Sequence, residues 1–365
     1  HLVGVTAEYN TFESAVEYCS QVKNISKGIP ICMGGEHATF ASEDILSNQP
    51  EIDFIVRGEG ELTILEVADR LAKGNGLENV PGIYFKDNKG SIIKNENRKA
   101  IDDLDTLPFP ARDTLEHCLS KGIQPAISIL SSRGCHGNCS FCNASRFFNL
   151  GGGKSWRARS PKNVVAELKY LHKKYDMSKM YPVIYFADEN FIGPGKQGIE
   201  RAREIAQRII DANLNITFEI FCRADSFDGE EDTIQLLKQA GLTSALVGLE
   251  SAKQRGLDII SKTTTVQQNI STLQLFKKYN IITSSSGFLM FNPYSEIPDL
   301  IDNANFLIEI GQATIYNMSL KVLLYPGIRI TDIIRTKGLI EADFSHFKVN
   351  RYRFVNSKVA KIAES

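Results

Sequence analysis

Short apolar runs of strand length alternate with helical stretches along most of the chain, and this alternation restricts the fold to helices wrapped on parallel sheets. In the first hundred residues the runs Leu2 to Thr6, Ile29 to Met33 and Asp53 to Val56 are interspersed with the helical patterns Ala15 to Val22 and Leu62 to Leu71. Asp87-Asn88-Lys89-Gly90, between Ile83-Tyr84-Phe85 and Ser91-Ile92-Ile93, has the turn residues of a β-hairpin. From Ala126 six further strands are predicted: Ala126 to Leu130, Pro182 to Phe186, Ile216 to Phe221, Ser244 to Leu249, Ile281 to Leu289 and Ile315 to Leu323. Ser160 followed by Pro161 predicts a capped helix start. Six strands are too few for a closed eightfold barrel, so the reading is α/β with a partial, TIM-like (β/α)6 barrel whose active groups lie at the C-terminal strand ends.

A chain of 365 residues has room for two domains. Pro108, Pro110 and the acids around them interrupt both periodicities, which divides the chain into a first domain at 1–100, a linker at 101–125, the barrel at 126–335 and a C-terminal extension at 336–365. The chain opens on His1 and passes at once into an apolar run, so the natural protein is expected to extend upstream. A formal net charge of -1 and the lack of any apolar run near the length of about 18 residues needed to cross a bilayer predict no nucleic-acid partner, no membrane and a cytoplasmic location.

Seven cysteines is an odd number, and three of them fall within eight residues, in Cys135-His136-Gly137-Asn138-Cys139-Ser140-Phe141-Cys142. That crowding favours metal ligation over a disulfide framework. Cluster ligation normally takes four thiolates, so three leave one iron open to a substrate or cofactor. The alternatives are incidental thiols, or a zinc site that would need a fourth ligand from His136, Cys118 or Cys222.

The CxxxCxxC loop, with Phe141 before its last cysteine and placed directly after the first of six strands, resembles the radical S-adenosylmethionine (SAM) superfamily. The resemblance implies a [4Fe-4S] cluster on Cys135, Cys139 and Cys142, and SAM held by Phe141, by Asp188, Glu189 and Asn190 after strand two, by Arg223 after strand three, by Glu250 after strand four, and by Gly287 and Phe288 on strand five. The plainer readings are a solvated turn for Asp188-Glu189-Asn190 and a surface side chain for Arg223. Phe291-Asn292 departs from the small glycine often found before the following turn. No catalytic residue is assigned.

Three turns of the first domain resemble the cobalamin-binding, Rossmann-like domain of one radical SAM subgroup: Thr6-Ala7, Gly34-Gly35-Glu36 and Gly58-Glu59-Gly60. Each alone reads as a tight strand-to-helix turn. The Asp-x-His-x-x-Gly loop that supplies a lower cobalt ligand in part of the subgroup is absent, and His37 reads as a turn residue. The resemblance implies a cobalamin-dependent enzyme that cleaves SAM reductively to a 5'-deoxyadenosyl radical. Its commonest outcome is methylation of an unactivated carbon of a small-molecule or peptide substrate, with an electron donor such as flavodoxin or ferredoxin. Radical cyclisation or rearrangement, with or without functional cobalamin, is the alternative, and a non-catalytic metal-binding module is the reading from another class.

Overall fold

The computed structural model describes residues 1–284, 287–341, 344, 345, 347 and 349–364, so Ser286 on the fifth predicted barrel strand lies outside the described residues. The chain divides into two compact units. One comprises His1–Ile101, Ser140–Ser155 and Val322–Val355, the other Asp102–Cys139, Trp156–Lys321 and Asn356–Ser365.

In the first unit, strands β1 (Val3–Thr6), β2 (Ile31–Gly34) and β3 (Phe54–Val56) run parallel, and β4 (Ile83–Lys86) and β5 (Ile92–Lys94) extend the sheet antiparallel in the order β1-β2-β3-β4-β5. The apolar runs of β2 and β3 are buried along their length, as strands covered on both faces require. Helix Phe12–Ile25 buries Phe12, Ala15 and Cys19, a single helical stripe, against this sheet. The predicted hairpin forms because Asp87 Oδ1 accepts from the backbone N–H of both Lys89 and Ser91, 2.8 Å each, while Gly90 takes a φ of 80°. Two helices after β2, Glu36–Phe40 and Ser42–Asn48, were not expected, since each is too short to carry a readable period. The segment Val322–Val355 belongs to this unit through stacked rings: Tyr325 on Tyr9, 5.2 Å between centroids, and Phe347 on Phe12, 5.4 Å.

The second unit is a five-stranded parallel sheet in the order β12-β11-β10-β9-β6, from β6 (Ser128–Ile129), β9 (Val183–Phe186), β10 (Thr217–Arg223), β11 (Leu242–Gly248) and β12 (Ile282–Ser284). A small hairpin of β7 (Ser132–Gly134) and β8 (Trp156–Ala158) stands apart from it. Spatial order follows chain order, so every right-handed crossover lands on the same face and the other face is left concave. Ile129, Phe186, Ile220 and Ala245 form one transverse row that is almost wholly buried, and mark the helix-covered face. Ser160 caps helix Pro161–Lys174 as expected, with Asn163 N–H donating to its Oγ at 3.1 Å. The sixth predicted strand is corrected: Ile315–Ser319 is helical, capped by Thr314, and only Lys321 continues the barrel, through an isolated parallel bridge to Phe291. Its short apolar run carries no period long enough to tell a short helix from a strand.

Candidate active site

The loop that carries the cysteines starts from a rigid anchor. Asp188, fully buried at the end of β9, accepts from Ser131 Oγ at 2.9 Å, from Ser131 N–H at 3.2 Å and from Ser132 Oγ. Burial pushes its carboxyl above the ordinary range, and the serine hydroxyls and Arg201 pull it back. Arg201 in turn donates to Ser131 O at 2.6 Å. Asp188 therefore holds the strand end from which the loop departs, a task different from the SAM contact expected of it. Glu189 accepts from Gly134 N–H at 3.0 Å, and Asn190 Nδ2 meets His136 Nδ1 at 3.1 Å, so both neighbours brace the loop as well.

Cys135 and Cys139 are half-buried free thiols on the second unit. Gly137 N–H donates to Cys135 Sγ at 3.3 Å, and the Arg223 guanidinium charge acts on both thiols. Burial pushes both thiols up, opposed by the Gly137 amide and Arg223 at Cys135, and by Lys262 and Arg223 at Cys139. An anionic cluster held by thiolates fits sulfurs that already face an amide N–H and two cations. Cys142, half-buried, follows in the segment that belongs to the first unit, where it lies beside Tyr325 and contributes, after burial, to raising that phenol. Among the described residues no three Cys, His, Asp or Glu side chains are gathered at the distance of a single metal ion.

Three further strand ends converge on the same loop. Arg223, 5% exposed, is gripped by Asp225 through Nε at 2.9 Å and Nη2 at 2.7 Å. Glu250 sits in the left-handed region at φ 60°, a conformation that costs a non-glycine residue about 1–2 kcal/mol and is a mark of a functional position. Its carboxylate pairs with Lys262 Nζ at 3.0 Å, with both side chains under a tenth exposed. Gly248 leaves room for that pair, because a Cβ there would lie 2.8 Å from Glu250 Oε1. Gly287 is required by close approach: a Cβ would stand 2.8 Å from Val247 O, and the Gly287 carbonyl accepts from Glu250 N–H at 2.7 Å. Phe288 turns its ring onto Phe306, 6.0 Å away, so its backbone alone is left for a ligand.

Sequence reasoning missed Lys262 and Thr263. The segment Ser261-Lys262-Thr263-Thr264-Thr265 reads as the polar lead-in to a capped helix, and Thr265 is that cap. In the structure it fastens two predicted SAM residues at once, Lys262 to Glu250 and Thr263 Oγ1 to Arg223 Nη2 at 2.8 Å. The signal available was a lysine amid threonines, which does not separate a surface charge from a buried one.

In the first unit Thr6, Gly34 and Gly58 lie at the C-terminal ends of β1, β2 and β3 or just past them, with Ala7, Gly35, Glu36, Glu59 and Gly60 following in the turns. Gly35, at φ 98°, packs so closely that a Cβ would touch Ala7 O at 3.0 Å. Glu36 faces Glu8, and burial pushes both carboxyls up, opposed at Glu36 by Asn143. Glu59 Oε2 accepts from Ile101 N–H at 2.8 Å, and Gly60 precedes helix Glu61–Ala72. His37 is buried, 4% exposed, against Phe12, and neither ring nitrogen has a partner among the described residues. Burial lowers its pKa to about 4. A side-chain-poor sheet edge with an orphaned histidine beneath it fits a large polar cofactor at this edge.

A half-open parallel barrel with a cysteine loop after its first strand, joined to a parallel-sheet unit with a glycine-lined edge, defines an enzyme built around resident cofactors. Residues 129–306 match the family model of the radical SAM superfamily, and residues 1–68 that of the B12 binding domain. An uncharacterised methyltransferase of Pyrococcus horikoshii is 33% identical over 93% of this chain and 70% of its own length. The anaerobic magnesium-protoporphyrin IX monomethyl ester cyclase of Rubrivivax gelatinosus is 30% identical over 78% of this chain and 50% of its own. The solved structure of the cobalamin-dependent SAM radical enzyme OxsB superposes on all of this chain and 57% of that one, with a TM-score of 0.85 at 21% identity. The chain belongs to the radical SAM superfamily, in the group that carries a B12-binding domain. It is an enzyme of that group, whose cofactors are a [4Fe-4S] cluster, SAM and cobalamin. The chain spans from half to seven tenths of the length of these relatives. No helix among the described residues is long and apolar enough to cross a membrane.

Proposed function

We propose that this chain is the cofactor-bearing part of a methyltransferase that places a methyl group on an unactivated carbon of a small-molecule or peptide substrate, fed electrons by a protein such as flavodoxin or ferredoxin. One observation carries the reading: Cys135 and Cys139 meet Arg223, Lys262 and Glu250 at one end of a parallel barrel, in a chain that also has a B12-binding domain. When bound, the cluster supplies the electron that splits SAM to methionine and a 5'-deoxyadenosyl radical, and cobalamin supplies a methyl carrier.

The chain's own residues bind and orient. Cys135, Cys139 and Cys142 hold the cluster. Arg223, with Nε and Nη2 engaged by Asp225 and Thr263, would offer Nη1 to the SAM carboxylate. Glu189 and Asn190 take the SAM amine, Glu250 the ribose hydroxyls, and the Gly287-Phe288 backbone the adenine, with Phe141 packing beside the cluster loop. Thr6, Ala7, Gly34, Gly35, Glu36, Gly58, Glu59 and Gly60 line the cobalamin edge.

The cyclase relative favours a second reading, radical ring formation. The two differ in what becomes of SAM. Protein loaded anaerobically with cluster and cobalamin, then reduced with titanium citrate in the presence of SAM, should give S-adenosylhomocysteine as well as 5'-deoxyadenosine. 5'-Deoxyadenosine alone would reject methyl transfer in favour of the cyclase reading.

A further inference from the structure

The concave face of the barrel holds a carboxylate that the SAM site does not use. Pairing across the sheet sets Ser128, Tyr185, Glu219, Ser244 and Ile282 in one transverse row. Ser128, Tyr185, Glu219 and Ser244 are each one residue before a member of the buried row Ile129, Phe186, Ile220, Ala245, so strand alternation puts this row on the opposite, concave face. Exposure agrees, since Ile282 is 69% exposed on a strand whose neighbours are packed.

Glu219 is half-buried there. Its Oε2 accepts from Ser244 Oγ at 2.5 Å, Oε1 has no hydrogen bond, and no ion pair to Glu219 forms among the described residues. A carboxylate that keeps one oxygen open and has no cation beside it is a ready acceptor for a cationic group. Directly across from it on β9 is Tyr185, whose ring stacks on Tyr181 at 6.1 Å. A carboxylate beside an aromatic face is the surrounding that an ammonium group selects, through charge and through the ring quadrupole. Up the same face of β10 follow Phe221 and then Arg223, with Leu246 and Gly248 beside them on β11. The face thus runs from an anionic floor through an apolar belt to the strand ends that hold the SAM groups. Arg223 lies four residue steps along the strand from Glu219, about 13 Å.

We propose that Glu219, with Tyr185 and Ser244, is a recognition subsite for a protonated amine at the far end of the substrate, whose apolar body lies against Phe221 and Leu246 with its reacting carbon toward the SAM end. This rests on the reading of the Arg223 end as the SAM site. The subsite selects substrate by its charge and fixes how deep the body sits in the barrel.

The test compares phenethylamine with its neutral analogue 2-phenylethanol by calorimetry, on the full chain with reconstituted cluster and SAM. The wild type should prefer the amine by about tenfold or more, the range expected for a hydrogen bond to a charged partner. Glu219→Gln should lose that preference while SAM affinity is unchanged, and Glu219→Asp, which keeps the charge, should retain most of it. Equal binding of the two probes by the wild type, or an amine preference that survives in Glu219→Gln, would overturn the proposal. Because SAM binding is measured separately in the same preparation, its loss would indict the SAM site and leave the amine comparison readable.

Discussion

Replacing Lys262 by methionine isolates one buried charge and tests how the barrel's working end is held. Lys262 and Glu250 are 3.0 Å apart with side chains 4% and 7% exposed, so neither is hydrated enough to stand alone. At an effective dielectric near 20 their attraction is about 5 kcal/mol. Removing one partner of a buried pair costs about 3–5 kcal/mol, because the survivor is stranded. In Lys262→Met the stranded group is Glu250, already held at φ 60°. For a unit of this size the loss corresponds to a fall in melting temperature of roughly 10 °C. The assay is denaturant and thermal unfolding of the full chain without added SAM, followed by circular dichroism. Lys262→Met with Glu250→Leu should recover most of the loss, since an apolar pair of similar bulk leaves no charge unpaired. A single variant within about 1 kcal/mol of wild type, or a double variant no more stable than the single, would show that the pair does not exist as described.

Asp188→Ala leaves Ser131 N–H and the Ser131 hydroxyl without an acceptor in a fully buried site, and Ser132 Oγ with only Asn190 O at 3.4 Å, which should cost about 3 kcal/mol and lower the iron retained after reconstitution; an unchanged melting temperature and iron content would refute the anchoring role. Gly287→Ala drives a Cβ toward Val247 O and should weaken SAM binding more than it lowers stability, measured by equilibrium dialysis against unfolding; unaltered affinity would remove Gly287 from the site. His37 is neutral when folded, with a pKa of about 4 against an ordinary 6.5, so the unfolded chain takes up its proton first as pH falls. Stability from this group is intact above pH 6.5 and is lost toward pH 4, by about 3 kcal/mol in all. Glu8 and Glu36, raised by burial, act in the opposite sense at the acid end, so the measurement is the difference between wild type and His37→Leu across that window. Parallel pH profiles would show that His37 is not buried neutral.

Much of the architecture was legible because it depends on local rules. Ser160-Pro161 starts a helix, Asp87 and Gly90 make a hairpin, and the CxxxCxxC loop leaves the first barrel strand. What was hidden depends on partners distant in sequence. Asp188 reads as a ligand-facing acid until Ser131 and Ser132, more than fifty residues earlier, are seen to saturate it. Lys262 reads as a surface charge until Glu250 appears beneath it, and Glu219 reads as an ordinary alternation of strand faces until the register shows which face is open. The division of the chain is equally non-local, since Ser140–Ser155 and Val322–Val355 join the first unit by ring stacking and side-chain bonds that no periodicity records.

The most direct test of the central claim is metal analysis with a SAM-cleavage assay on one anaerobic preparation, reconstituted with iron, sulfide and hydroxocobalamin and compared with Cys139→Ala. The wild type should bind about four irons and one cobalt and release 5'-deoxyadenosine on reduction, while Cys139→Ala keeps the cobalt and loses both iron and cleavage. Iron binding without cleavage in the wild type, or cleavage that persists in Cys139→Ala, would contradict the account.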